Sequence, residues 1–200
     1  MGLENRVAVI TGATGGLGRV VARGLADAGA NLALISTSGD NLAVLVNDLS
    51  LAQGRYLTHA ADLTDPRRAP EAAAAVQAKF GRVDILLHLV GGWAGGKTVV
   101  QLPAEEMAAM LRQHLWSTLY VAQAFVPQLV ANSWGRIVVV SSPLATRPAA
   151  KSAVYTVAKE WWCPRPSPPG PRPRARSTPS PRRRKKRCCW PWPRRWPAAG

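Results

Sequence analysis

Tyr155 and Lys159 stand four residues apart in the run Tyr155-Thr156-Val157-Ala158-Lys159, a spacing that puts a phenol and an ammonium on one helix face. A tyrosine near its ordinary pKa of about 10 is a weak acid or base at neutral pH, but an adjacent cation favours the phenolate. Such a pair can exchange a proton with a carbonyl or carbinol oxygen. Taken alone, Tyr-x-x-x-Lys is common on helices and equally describes a surface pair. Upstream, the apolar run Gly135-Arg136-Ile137-Val138-Val139-Val140 ends in two hydroxyls, Ser141 and Ser142, the second thirteen residues before Tyr155.

A second constellation lies near the N-terminus. Thr11-Gly12-Ala13-Thr14-Gly15-Gly16-Leu17-Gly18 closes an apolar run and leads into Val20, Val21, Leu25 and Ala26, a helical apolar pattern. Glycines permit a tight strand-to-helix turn and let backbone N–H groups approach a pyrophosphate at the positive end of the helix. At the end of the next strand, an acid would hold the adenosine ribose 2′-hydroxyl and repel a 2′-phosphate. This chain has Ser36-Thr37-Ser38 there. Hydroxyls suit a phosphate, yet no Arg or Lys occupies that turn, so the expectation leans to NADP(H) over NAD(H).

The elements that must position these groups alternate. Val7–Thr11, Leu32–Ser36, Arg55–Thr58, Val83–Leu89 and Arg136–Ser141 read as strands. Helical segments fall over Gly16–Ala28, Asn41–Leu51, Ala69–Phe80 and Pro103–Ala131, with a last one opening near Ser152. The strands are apolar nearly throughout, as in a parallel sheet covered on both faces, and each helix is long enough for a right-handed crossover. Gly81 is placed to stop the third helix. An open α/β sheet is expected.

The spacing Thr-Gly-x-x-x-Gly-x-Gly, carried by Thr11, Gly12, Gly16 and Gly18, together with Ser142, Tyr155 and Lys159, resembles the short-chain dehydrogenase/reductase family over about residues 5–160. The resemblance implies a Rossmann-type doubly wound parallel sheet over residues 1–160 and reversible hydride transfer between a nicotinamide and a carbonyl or alcohol. It implies Tyr155 as acid/base, Ser142 on the substrate oxygen, and Lys159 also on the nicotinamide ribose. Cofactor contacts fall to Thr11, Gly12, Gly16, Leu17, Gly18, Ser36, Thr37, Asp62, Leu63, Gly91, Tyr155 and Lys159. An acid after a strand is otherwise usually a helix cap, which is the plainer account of Asp62. Related enzymes often assemble as homo-oligomers.

Two departures stand out. The family's fourth strand ends Asn-Asn-Ala-Gly, but here His88-Leu89-Val90-Gly91 keeps only the glycine, His88 and Leu89 replacing two amides that usually stitch the sheet, and Gly92-Trp93-Ala94-Gly95-Gly96 continues either as a flexible segment bordering the site or as a plain loop. In the long helix, His114 stands where an asparagine serves a proton relay. Histidine titrates near neutrality and can substitute there, or be a packed core residue.

Beyond Lys159 the texture changes. The last forty residues hold 11 of the 17 prolines, all three cysteines and 12 basic residues with no acid, so most of the net charge of +15 belongs to them. Proline at that density forbids helix interiors and central strands, and a disordered tail over 161–200 is expected. The family's later strands and substrate cover are missing or unrecognisable there. In GC-rich DNA a shifted frame turns Ala and Leu codons into Pro, Arg, Trp and Cys codons, which is the enrichment seen. A frameshifted or truncated end with little activity is therefore the alternative to an active enzyme. Arg182 to Arg187, flanked by Trp190, Trp192 and Trp196, could bind nucleic acid by phosphate contacts and stacking, although an accidental basic run explains it better. The cysteines fit no zinc or disulfide pattern, and the first apolar run is too short for a signal peptide or membrane span. A cytoplasmic chain, with no metal and no membrane partner, is expected.

Overall fold

Five parallel strands form one sheet in the order β3-β2-β1-β4-β5: β1 Val7–Thr11, β2 Asn31–Ser36, β3 Tyr56–Ala60, β4 Ile85–His88 and β5 Arg136–Val139. They come from a computed structural model in which residues 2–160 are described; the expectations for 161–200 lie outside the described residues. No helix among the described residues is long and apolar enough to cross a membrane, and none of their His, Cys, Asp and Glu side chains cluster to hold a metal.

Strand side chains alternate between two cores. Val7 and Val9 join Ala33, Ile35 and Leu86 on one face, whereas Ala8 and Ile10 join Leu32, Leu34 and Ile85 on the other. A period of two with both faces apolar demands helices on both sides. The helices α1 (Gly16–Asp27) and α2 (Gly39–Leu49) cover one face with Ala22, Ala26, Leu42 and Leu45. The opposite face is covered by α3 (Arg68–Phe80) and α5 (Ser117–Ala131), through Ala72, Val76, Val121 and Phe125. Ile10, Leu32, Leu34, Ile35 and Phe125 are fully buried, each stabilising the fold by about 1.5–3 kcal/mol relative to exposure. A smaller core of Met110, Val154 and Ala158 joins α4 (Ala104–Leu111) to α6 (Ala153–Glu160).

Differences from the expected elements have local causes. Arg55 ends a 3-10 turn and donates to the carbonyls of Ala26 and Ala30 at 3.3 and 2.9 Å, so β3 starts one residue later. The strand β5 stops at Val139 rather than Ser141, and β4 excludes Val83, Asp84 and Leu89. The stretch expected as one helix over Pro103–Ala131 is divided by a π-helical turn, Arg112–Trp116, between α4 and α5. The carbonyls of Gln113 and His114 in that turn accept the hydroxyls of Ser117 and Thr118 at 2.5 and 2.6 Å. Gly81 does end α3, with φ of +70° and its N–H donating to the Gln77 carbonyl.

At the amino end of β4 the Asp84 carboxylate is fully buried. It accepts from Arg6 at 2.8 Å, from Arg82 at 2.6 and 2.9 Å and from the Val7 amide at 2.9 Å. Burial alone would raise this carboxyl, but Arg82, the Val7 amide and Arg6 outweigh it and hold it below the usual carboxylate range. Arg6 and Arg136 also stack on Trp134, at 4.1 and 5.1 Å from the ring centre, which ties the start of β1 to the start of β5.

Candidate active site

The carboxyl ends of β1, β4 and β5 meet α1 and α6 around a common edge. At the β1–α1 turn Gly12 has φ of +70°, and a Cβ there would lie 3.0 Å from the Leu89 backbone. Gly18 is buried in α1, where a Cβ would sit 2.3 Å from the Gly12 carbonyl oxygen and 2.6 Å from that of Ala13. Both contacts are with backbone, so neither can yield cheaply. Gly18→Ala is therefore expected to cost about 1–3 kcal/mol in urea denaturation by overpacking; an unchanged midpoint would refute that cause.

Gly15, Gly16 and Leu17 are exposed at the start of α1, and a Cβ at Gly16 would meet nothing within 4 Å. The helix has no side-chain cap and no acid in its first turn. Its leading N–H groups and positive dipole end are thus available to an anion, and the glycine turn fits a dinucleotide's diphosphate.

The Ala13 amide donates to the Ile35 carbonyl at 3.1 Å, which brings the glycine turn against the end of β2. There Ser36 and Thr14 share a hydrogen bond of 2.6 Å, Thr37 is exposed, and Ser38 instead caps α2 through the Asn41 amide. Arg19, absent from the sequence expectations, donates from Nε to the Thr14 carbonyl at 3.0 Å. Asp62 accepts from the amide and hydroxyl of Thr64 at 3.0 and 2.8 Å, a local turn, beside buried Leu63.

Tyr155 and Lys159 lie one turn apart on α6, as their spacing requires, with the ammonium 5.9 Å from the phenol ring centre. Lys159 is buried and donates to the Val140 carbonyl at 2.9 Å, just past β5. Burial pushes its ammonium below the ordinary lysine value. Ser142 is half-buried at the start of a 3-10 turn that packs on α6, and its Oγ accepts from the Leu144 amide at 3.3 Å. Ser141 reaches the Lys159 carbonyl at 3.5 Å.

His114, in the π-turn, presents its ring edge-on to Tyr155 with centroids 5.7 Å apart. Its Nε2 donates to the Gly92 carbonyl at 3.0 Å, leaving Nδ1 as a buried acceptor with no partner among the described residues. Gly91 lies against it: a Cβ there would be 2.8 Å from His114 Cε1 and 3.5 Å from Lys159 Nζ. The π-turn, α6 and the segment that follows β4 therefore converge on one point.

His88 stands where the family has a sheet-stitching amide, and its partners were not readable from the sequence. Its Nδ1 bonds Thr11 Oγ1 at 2.8 Å and its Nε2 meets Ser117 Oγ at 3.3 Å. Ser117 donates its single proton to the Gln113 carbonyl, so His88 donates from Nε2 and accepts at Nδ1 from Thr11. A single ring thus joins β1, β4 and α5. No local pattern signals this, because its partners lie 77 and 29 residues away.

Burial first, and then the Lys159 charge, lowers both imidazoles to about 4, so both are neutral at pH 7. With folded values below the unfolded value of about 6.5, the unfolded chain binds more protons between those limits, and stability falls as pH drops from 6.5 toward 4. The loss is at most about 3 kcal/mol per ring. Urea midpoints should decline across that window, and less steeply in His114→Asn; a flat wild-type profile from pH 7 to 4.5 would contradict the burial.

Comparisons with known proteins agree on one family. A model described as short chain dehydrogenase matches residues 6–161. D-beta-hydroxybutyrate dehydrogenase of Rhizobium meliloti (strain 1021) is 31% identical over 156 residues, covering 77% of this chain and 60% of the relative. 1-deoxy-11-beta-hydroxypentalenate dehydrogenase of Streptomyces avermitilis is 32% identical over 161 residues, covering 80% of this chain and 60% of the relative. The structure of L-sorbose reductase from Gluconobacter frateurii, complexed with NADPH and L-sorbose, superposes with a TM-score of 0.75 at 28% identity, covering 80% of this chain and 61% of that one. The chain thus spans about 60% of the length of the curated relatives it matches.

Proposed function

The chain belongs to the short chain dehydrogenase family, and from that premise we propose that it is an oxidoreductase that reduces a carbonyl, or oxidises the matching alcohol, with a nicotinamide dinucleotide. The observation that carries the proposal is the convergence of Tyr155, buried Lys159 and His114 at the carboxyl edge of the sheet, beside an anion-accepting glycine turn.

When bound, the nicotinamide supplies or takes up the hydride. The glycine turn, through Gly12, Gly16, Leu17 and Gly18, would hold the diphosphate on the first turn of α1. Thr11, Asp62, Leu63 and Gly91 would border the cofactor, with Ser36 and Thr37 at the adenosine ribose. Tyr155 would give a proton to the carbonyl oxygen in reduction and take it back in oxidation, while Ser142 turns its hydroxyl to the same oxygen. The Lys159 charge would stabilise negative charge on that oxygen, and its ammonium hydrogens not used on Val140 suit the nicotinamide ribose hydroxyls. His114, neutral and with a free Nδ1 acceptor, would take the asparagine's place in passing a proton from the buried lysine.

The hydroxyls at the end of β2, with no carboxylate on Ser36, Thr37 or Ser38, favour NADP(H) over NAD(H). The relative complexed with NADPH has the same fold. A small-molecule carbonyl or alcohol is the substrate class, a homo-oligomer the expected assembly and the cytoplasm the expected compartment. The decisive experiment follows NADPH and NADH oxidation with a ketone panel, using Tyr155→Phe as the control.

A further inference from the structure

The sequence offers no cation in the turn after β2, but the fold brings one from another element. Arg19 lies in the first turns of α1, and a helical side chain leans back over the turn before its own Cα. Its Nε accordingly donates to the Thr14 carbonyl at 3.0 Å. Thr14 in turn shares its hydroxyl with Ser36 at 2.6 Å, so the guanidinium stands one residue from the end of β2. Nη1 approaches Asp48 on α2 at 3.5 Å, a long contact between two half-exposed side chains. Nη2 makes no hydrogen bond among the described residues.

Resting on the dinucleotide reading above, the geometry points to Arg19 as the residue that selects the phosphorylated cofactor, by pairing with the 2′-phosphate while Ser36, Thr37 and Thr14 donate hydroxyls to it. A planar guanidinium with free N–H groups suits a phosphate monoester, and binding draws it from a weak exposed carboxylate contact worth little. Asp48 holds Arg19 against α2 when the 2′ position carries only a hydroxyl. Asp27 and Arg23 line the same cleft between α1 and α2 as Arg19 and Asp48, and Asp40, in the first turn of α2, is exposed.

The test uses the full chain and two fragments without a nicotinamide, adenosine 2′,5′-bisphosphate and AMP, in calorimetric titrations. The bisphosphate is expected to bind at least about tenfold more tightly. Arg19→Gln should remove that preference and leave AMP affinity unchanged; Arg19→Lys, retaining the charge, should restore part of it. Thermal unfolding of each variant separates a misfolded chain from a selective loss. Wild type binding both fragments equally, or Arg19→Gln keeping the preference or losing both affinities together in a folded chain, would overturn the role of Arg19 alone. Binding of neither fragment would overturn the dinucleotide reading with it.

Discussion

Tyr155→Phe is expected to reduce turnover by about 100- to 10,000-fold, the range a positioned general acid or base supplies. Phenylalanine keeps the ring that stands edge-on to His114 and near Lys159, so packing should be nearly unchanged, and of the cofactor contacts only that of the Tyr155 hydroxyl is lost. The loss should therefore fall on kcat, with little movement in KM for the cofactor. Ser142→Ala removes only one oxygen-orienting hydroxyl and should cost less. The measurement is steady-state oxidation of NADPH or NADH with a ketone that the wild type accepts. Full turnover by the Phe variant would remove Tyr155 from the mechanism, and a wild-type chain that turned over neither cofactor with any ketone would remove the activity.

The largest effect on stability is expected at the other end of β4. Asp84→Ala would leave the Val7 amide, the Arg6 guanidinium and the Arg82 guanidinium without their shared acceptor. Breaking a buried ion pair costs about 3–5 kcal/mol. Arg6 and Arg82 are 35% and 42% exposed and water will screen them, so about 2–4 kcal/mol is expected here. Because the folded carboxyl is held below its ordinary value, its contribution is present above the unfolded carboxylate pKa of about 3.9 and is lost as pH falls through the folded value. Urea unfolding at pH 7 and pH 3 tests both parts. The wild type and Asp84→Asn should differ at pH 7 and the gap should narrow at pH 3; a loss below about 1 kcal/mol at pH 7 would show that the cluster is ornamental. Activity per folded molecule should not change, since Asp84 precedes β4 while His88 ends it.

Which parts of this were legible follows from range. The strands could be read because each carries its own apolar run, and β1 falls where the sequence puts it, Val7–Thr11. The Tyr155–Lys159 pair could be read because helical spacing alone puts it on one face. The π-turn at Arg112–Trp116 could not, since its residues carry an ordinary helical pattern, and the hydroxyls of Ser117 and Thr118 that bond back to its carbonyls are equally at home in an α-helix. His88 and Arg19 were hidden for a different reason. Each acts on a residue of another element, and its partner is chosen by the strand register and the β1–α1 turn. Asp62 shows the opposite case: its local turn to Thr64 is what an acid after a strand does by default.

The central place of β1 also dictates when the fold can form. Thr11 is registered with Ile35 on one side and with His88, 77 residues later, on the other. During synthesis at about 5–20 residues per second, β1 therefore waits roughly 4–15 s, even after pairing with β2, with one edge open before β4 emerges. An unpaired apolar strand edge recruits other chains, so the nascent protein passes through an aggregation-prone interval set by topology rather than by sequence. Slower translation across the α3 codons would lengthen that interval, and a chaperone that shields strand edges would act there.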